Sequence, residues 1–331
     1  MTENNNEVLN QTGIVYATDD NYVKHVAVSL VSLYENAKFD KLPVVYIIGN
    51  HLSKANINKL DNVVNKYGGR VEYLKADEAI EKLPKDVNTA NLTVSTYIRL
   101  FLAEIMPNDI KKILYLDCDT YICCNILDLL NVDFDGKLIA GIEDTMYPHM
   151  KTKIGLHESD RYINAGILLI NLEEWRRQNI TKEFIKFIFK FNGSVPHLDQ
   201  GVINGVFRGQ IKYMPLRYNV QSPIFAIHTY KRLLSFHGMT SYYPEEDVKQ
   251  ARKNPAIIHF TSFFVGRPWE KGCLHPLRKL YYDAISKTDY ADTSYDRVLP
   301  PIRRIRIFCF KYFQPVYFIL KKYEKYCYCS I

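Results

Sequence analysis

Asp117 and Asp119 are the residues whose types and spacing point most directly to chemistry. They close the run Ile113-Leu114-Tyr115-Leu116-Asp117-Cys118-Asp119. Side chains two apart on an extended chain point to the same side, so both carboxylates can face one hard cation. The apolar residues before them read as a strand, and open α/β sheets bind ligands beyond the carboxyl ends of their strands. Asp133-Phe134-Asp135 serves as a control: it has the same spacing but no apolar strand before it and Gly136 after it, which reads as a solvated turn. Asp19, Asp20 and Asn21 follow the apolar run Gly13–Ala17 and should share that sheet edge. They either cap the next helix or read the edge of a base or ribose.

Other chemistry-bearing residues are more ambiguous when taken singly. His259 ends Ala256-Ile257-Ile258-His259-Phe260; a lone histidine there is usually core or surface, but an imidazole joining two carboxylates favours Mn²⁺ slightly over Mg²⁺. Arg267, beside Pro268-Trp269, either neutralises a diphosphate or is a surface cation. Asp199-Gln200 reads locally as a helix cap, and Asn164 as a turn residue opening Gly166–Ile170.

The elements that must position these residues alternate between short apolar runs and helical patterns, which is the signature of an α/β chain with a mainly parallel sheet. Strands are expected at 13–17, 44–48, 71–74, 112–119, 139–142, 166–170 and 256–260. Apolar spacing predicts a helix from Val23 to Tyr34, and Ser53 is placed to cap a second that stops at Gly68-Gly69. Residues 94–106 read as an apolar helix ended by Pro107, and Glu173–Phe191 as one long helix.

The chain has 331 residues, 47% hydrophobic and 24% charged, with a net charge of +7. That is enough for a substantial core, and it excludes a disordered chain, a collagen-like repeat or a disulfide miniprotein. From Arg297 onward eight Lys and Arg oppose the single acid Glu324, so residues 1–296 are charge-balanced. No run has the roughly 18 apolar residues of a membrane span. The polar start reads as a flexible extension over 1–12 rather than a secretory leader. Seven cysteines without a paired metal-binding spacing suit free thiols in a reducing cytosol. In the tail, Ile302 to Phe313 places basic residues roughly opposite an apolar arc, with Ile307 and Phe310 as exceptions, and Pro315 should kink or divide the helix. This pattern fits an interfacial helix on an anionic membrane better than a helix packed on the body; the balanced body argues against nucleic acid.

Six segments taken in order resemble the family 8 glycosyltransferases: VYATDDNY (15–22), STYIRL (95–100), ILYLDCDTYI (113–122), YINAGILLINLEEWR (162–176), LDQGVIN (198–204) and HFTSFFVGRPW (259–269). The resemblance implies the GT-A fold, a Rossmann-like nucleotide-sugar domain spanning 13–296, followed by a basic aromatic tail over 297–331. It implies that Asp117, Asp119 and His259 hold a metal that bridges the diphosphate of a UDP-sugar. Ala17, Asp19 and Asn21 then resemble contacts to uracil and ribose, with Tyr22 nearby, and Arg99, Asn164 and Asp199 resemble donor-sugar contacts. Gln200 corresponds to the residue beneath the anomeric carbon, and Arg267, with Lys271, to phosphate-side cations. One segment departs from the pattern H-x-x-G-x-x-K-P-W: it is two residues longer, with Ser262 for the first Gly and Arg267 for Lys.

The expected activity is transfer of galactose or glucose, with retention, from a UDP-sugar to a glycan or glycolipid hydroxyl. Mn²⁺ is the expected cofactor and Mg²⁺ the alternative. The expected location is the cytoplasmic face of the cell membrane. The competing readings are a glycogenin-like self- or protein-glycosylating enzyme and a nucleotidyltransferase that makes nucleotide sugars. The second usually carries a Gly-rich loop after its first strand, where this chain has Thr18-Asp19-Asp20-Asn21.

Overall fold

A computed structural model describes residues 11–36, 43–85, 87–88, 94–293, 295–313 and 317. Most of the N-terminal extension, Pro315 and the last basic residues of the tail lie outside the described residues.

A seven-stranded sheet runs in the order β3-β2-β1-β4-β7-β6-β8. Its strands are β1 (Thr12–Asp19), β2 (Val44–Asn50), β3 (Val71–Lys75), β4 (Lys112–Leu116), β6 (Ile139–Glu143), β7 (Ile163–Asn171) and β8 (Ile211–Tyr213). All ladders are parallel except those flanking β7, which runs antiparallel to both β4 and β6. Residues 113–116 of β4 are all buried, as expected of a strand covered on both faces. The strand order reverses between β1 and β4, and at such a switch point the connections diverge to leave a crevice. Asp19 and Asp117 stand at the two sides of that crevice.

A three-stranded sheet completes the site: β5 (Thr120–Ile122), β10 (Ile257–His259) and β9 (Val220–Gln221). Its register sets His259 opposite both Thr120 and Gln221. Helix α1 (Val23–Asn36) fastens β5 to the main sheet through buried hydroxyls. Ser29 Oγ lies 2.9 Å from both Tyr16 Oη and Thr120 Oγ1, and Ser32 Oγ accepts the Ile122 N–H at 2.9 Å. Buried hydroxyls are tolerated here because each has a partner.

Ser53 caps α2 (Lys54–Lys66) as expected, accepting the Asn56 N–H. The helix expected over 94–106 is instead a 3₁₀ stretch (Val94–Phe101) followed by a short α-turn (Leu102–Ile105). The β-branched residues Val94, Thr96 and Ile98 weaken α-helix there. The helix expected over 173–191 is two, α3 (Leu172–Arg177) and α4 (Ile180–Lys190), divided where Asn179 takes a left-handed conformation, φ 50°. Asp133-Phe134-Asp135 is a turn, with the Asp133 carboxylate accepting the Asp135 N–H.

Helix α5 (Leu198–Val206) carries Asp199 and Gln200 in its first turn, and α6 (Arg278–Ile285) packs on α1. The chain then returns to the body: β12 (Arg297–Val298) pairs with β11 (Glu270–Lys271), and α7 (Pro301–Tyr312) follows. Ile307 and Phe310, the exceptions on the helical wheel, are the residues that pack inward. Ile302, Ile305, Phe308 and Tyr312 each remain more than half exposed. No helix among the described residues is long and apolar enough to cross a membrane.

Candidate active site

The two carboxylates of the D-x-D segment meet His259 at the crevice. His259 Nε2 lies 3.0 Å from Asp119 Oδ1 and 3.6 Å from Asp117 Oδ2. One ligand atom from each of the three residues falls within 4.8 Å of the others. The segment is shaped by its own turn, in which Thr120 N and Oγ1 both donate to the Asp117 carbonyl. The Phe260 N–H donates to the Asp119 carbonyl, so β10 is fixed to the turn by its backbone as well as by His259.

Each ligand is oriented by a second partner. Asp117 Oδ1 accepts from Arg99 Nη2 at 3.0 Å and from the Tyr115 hydroxyl at 3.2 Å, which turns Oδ2 toward His259. His259 Nδ1 lies 3.1 Å from Asn219 Oδ1. The same Asn219 amide donates through Nδ2 to Asn164 Oδ1 at 2.9 Å, which identifies its oxygen as the atom facing His259. His259 Nδ1 therefore carries a proton, and Nε2 is the ring nitrogen that faces the two carboxylates. Burial alone would raise the Asp119 carboxyl, but His259 and then Arg267 outweigh it and hold it at about 2. Burial opposes a charged His259 ring; Asp119 reverses that and lifts its pKa above the ordinary value.

A polar chain extends from the ligands toward α5. Asn164 Nδ2 donates to Gln200 Oε1 at 3.1 Å, and the Ala165 N–H donates to the same oxygen at 3.0 Å. Gln200 Nε2 then donates to Asp144 Oδ2 at 2.9 Å. Buried Arg99 joins Asp199 to Asp117, with Nε 2.9 Å from Asp199 Oδ2 and Nη1 donating to the Ala165 carbonyl. Burial pushes the Asp199 carboxyl up to about 6 against the pull of Arg99.

Across the crevice, Asp19 Oδ1 accepts the N–H groups of Asn21 and Tyr22, closing the turn that leads into α1 rather than capping the helix itself, which starts at Val23. Ala17 is buried beneath it, accepting the Cys118 thiol through its carbonyl. Arg267 Nη1 donates to the Tyr22 hydroxyl at 3.2 Å, while Nη2 is 3.8 Å from Asp119 Oδ2. Arg267 Nε is buried and has no hydrogen-bond partner among the described residues. Lys271 is exposed on β11.

The structure thus brings together Asp117, Asp119, His259, Arg99, Asn164, Asp199, Gln200, Tyr22 and Arg267. The sequence reading missed Asn219 and Asp144. Neither stands in a motif, and each acts on a residue at least 40 positions away along the chain.

Two carboxylates and an imidazole nitrogen form a donor set suited to Mn²⁺ or Mg²⁺. The residues fit such an ion: each carboxylate keeps an oxygen turned toward the cluster, and the imidazole turns Nε2, the nitrogen not tied to Asn219, toward the same point. An unpartnered guanidinium N–H beside them calls for an anion, since a buried donor left without a partner is costly.

A mainly parallel sheet with a carboxylate–histidine site at its switch point defines a GT-A transferase. A family model described as glycosyl transferase family 8 matches residues 13–273. The chain belongs to glycosyl transferase family 8. It is 27% identical over 281 residues to general stress protein A of Bacillus subtilis, covering 84% of this chain and 94% of that protein. It is 24% identical over 295 residues to a lipopolysaccharide 1,2-glucosyltransferase of Escherichia coli K12, covering 88% and 81%. Among solved structures, the galactosyltransferase LgtC in complex with donor and acceptor sugar analogues superposes with a TM-score of 0.69 at 24% identity, covering 88% of this chain and 99% of that one. The GT-A fold expected from the sequence is the fold observed.

Two substitutions test the cluster without touching a ligand. A methyl group at Gly166 would lie 2.2 Å from His259 Cε1 and 2.7 Å from Asp117 Oδ2. Gly166→Ala should therefore lower Mn²⁺ affinity, measured by calorimetry, and wild-type affinity would contradict the cluster. Asn219→Ala frees the His259 ring and should cost about 10–100-fold in the same titration; an unchanged value would remove Asn219 from the site.

Proposed function

We propose that this transferase moves a hexose, galactose or glucose, from a UDP-sugar to a hydroxyl of a cell-surface glycan or glycolipid, forming an α-linkage with retention. The observation that supports this best is the Asp117–Asp119–His259 cluster beside the unpartnered Nε of Arg267. A divalent cation and a free guanidinium donor side by side suit a diphosphate. Mn²⁺ is the proposed cofactor, with Mg²⁺ the alternative; when bound it supplies Lewis-acid stabilisation of the leaving diphosphate.

The protein's own residues do the rest. Arg267 places its charge where negative charge grows on the leaving group, and Lys271 adds to the field from the rim. The Asp19 carboxylate, with Oδ1 engaged in the turn before α1, offers Oδ2 to a ribose hydroxyl; Ala17, Asn21 and Tyr22 frame the uracil side. Arg99, Asn164 and Asp199 hold sugar hydroxyls from beneath. Gln200 faces the anomeric carbon with an oxygen already engaged by two N–H donors. An amide oxygen so committed is a poor nucleophile, and Asp199 is tied to Arg99. These contacts favour front-face transfer. In that step the bond from the anomeric carbon to the phosphate oxygen breaks, the acceptor oxygen bonds to the same face, and the acceptor proton leaves on UDP.

The tail is proposed to hold the enzyme on the anionic inner face of the cell membrane. The exposed apolar side of α7, Ile302, Ile305, Phe308 and Tyr312, lies beside the exposed Arg304. Apolar burial plus cationic attraction is what an interfacial helix needs.

Asp119→Ala should abolish both transfer and Mn²⁺-dependent UDP binding; a variant keeping both would overturn the metal assignment. Gln200→Ala should slow turnover about a hundredfold by losing alignment, with little change in UDP affinity; wild-type turnover would exclude Gln200 from the step. The triple variant Ile302→Ser, Ile305→Ser, Phe308→Ser should lose most of its sedimentation with anionic vesicles, and sedimentation equal to wild type would refute the membrane role.

A further inference from the structure

Arg267 is held by a residue outside the donor crevice. Glu270, only 1% exposed, accepts the backbone N–H of Arg267 on Oε2 at 2.7 Å. Its other oxygen, Oε1, is paired with Arg297 through both Nε and Nη2, and Arg303 Nη1 lies 4.0 Å away. A buried carboxylate is stable only when paired and hydrogen-bonded, and here every pairing charge comes from the start of the tail.

The backbone repeats this connection. Glu270 pairs with Arg297 and Lys271 with Val298 in the β11–β12 ladder. The Asp296 N–H donates to the Trp269 carbonyl, and the Leu299 N–H to that of Lys271. Asp296 also reaches α1, paired with Lys24 and with His25, and His25 stacks against Trp269 at 4.1 Å between centroids. The loop's two extra residues fall in the stretch containing Phe263 and Phe264. Phe264 meets Phe310 of α7 at 4.4 Å, and Arg303 Nη2 donates to the Phe263 carbonyl. The lengthened loop is thus where the tail docks, and the same loop carries Arg267 to Tyr22 and Asp119.

We propose that residues 296–310 are a strap on the loop that grips the donor diphosphate, in which Glu270 is a positioning residue for Arg267 and Arg297 is its counter-ion. The strap rests on the reading of Arg267 as a diphosphate ligand. It makes the start of the tail part of the donor site rather than only an anchor. A surface acting on the outer face of α7 is thereby connected to the phosphate end of the site through Arg297 and Glu270.

Calorimetric titration of UDP and of uridine with Mn²⁺ present, on full-length Arg267→Ala, Glu270→Ala, Glu270→Gln and Arg297→Ala, tests this. Glu270→Ala and Arg297→Ala should each weaken UDP about tenfold or more while uridine changes less than about twofold, because only the charged grip on phosphate is lost. Glu270→Gln keeps an acceptor for the Arg267 backbone N–H and should recover part of the loss. If Glu270→Ala fails to fold, Arg297→Ala still decides, since Arg297 is more than half exposed. UDP affinity kept in both Glu270→Ala and Arg297→Ala while Arg267→Ala loses it would overturn the strap alone. Parallel weakening of UDP and uridine would reduce the strap to a folding element and overturn it as well. Wild-type UDP affinity in Arg267→Ala would overturn the diphosphate reading and the strap with it.

Discussion

Two carboxylates cannot share a buried corner at the end of a sheet unless their charge is balanced, and much of this structure is organised around that balance. Burial favours protonating Asp119, and Asp117 stands close by. Against this act the His259 ring, Arg267 across the crevice and Arg99 from below. Arg99 is the most constrained of these: it is buried, joined to two carboxylates and two carbonyls, and stacked 4.5 Å over Tyr115. Its 3₁₀ segment places it beneath both the metal ligands and α5. The same guanidinium thus steadies the D-x-D segment and the helix carrying Asp199 and Gln200.

From His259 a row of side-chain amides continues the constraint, through Asn219 and Asn164 to Gln200 and then to Asp144. Amides suit this task because each offers a donor and an acceptor without net charge, so the row adds order without adding to the electrostatic problem. Backbone N–H groups of Ala165 and Gly166 fix two of the amide oxygens. Gly166 itself must be a glycine, since any Cβ there would enter the space of His259 and Asp117. The site is therefore largely preorganised before a ligand arrives.

Much of this was legible in the sequence because buried strands announce themselves. The apolar runs at 13–17 and 44–48 are strands. The strand expected over 112–119 ends at Leu116, so Asp117 and Asp119 are brought together by a turn rather than by an extended chain. The residues after β1 and β4 lie at the switch point. What escaped reading depended on contacts distant along the chain or on backbone geometry. Asn219 lies in a stretch with no periodicity, and its meaning comes from the β9–β10 register. Asp144 follows β6 with no motif around it. The break at Asn179 lies inside a good apolar period, and a single left-handed residue suffices to split the helix. Asp19 shows the opposite case, where two local readings remained open: in the structure its Oδ1 closes the turn before α1 and does not cap the helix itself. In the tail, the two residues that spoiled the amphipathic wheel proved informative, because Ile307 and Phe310 are the ones facing the body.

Whether the three crowded side chains form one metal centre is best decided by anomalous diffraction from crystals grown with Mn²⁺ and UDP. A manganese peak should stand within bonding distance of Asp117, Asp119 and His259, with His259 bound through Nε2. Manganese located elsewhere, or a UDP complex in which His259 remains paired to Asp119 with no metal between them, would contradict this.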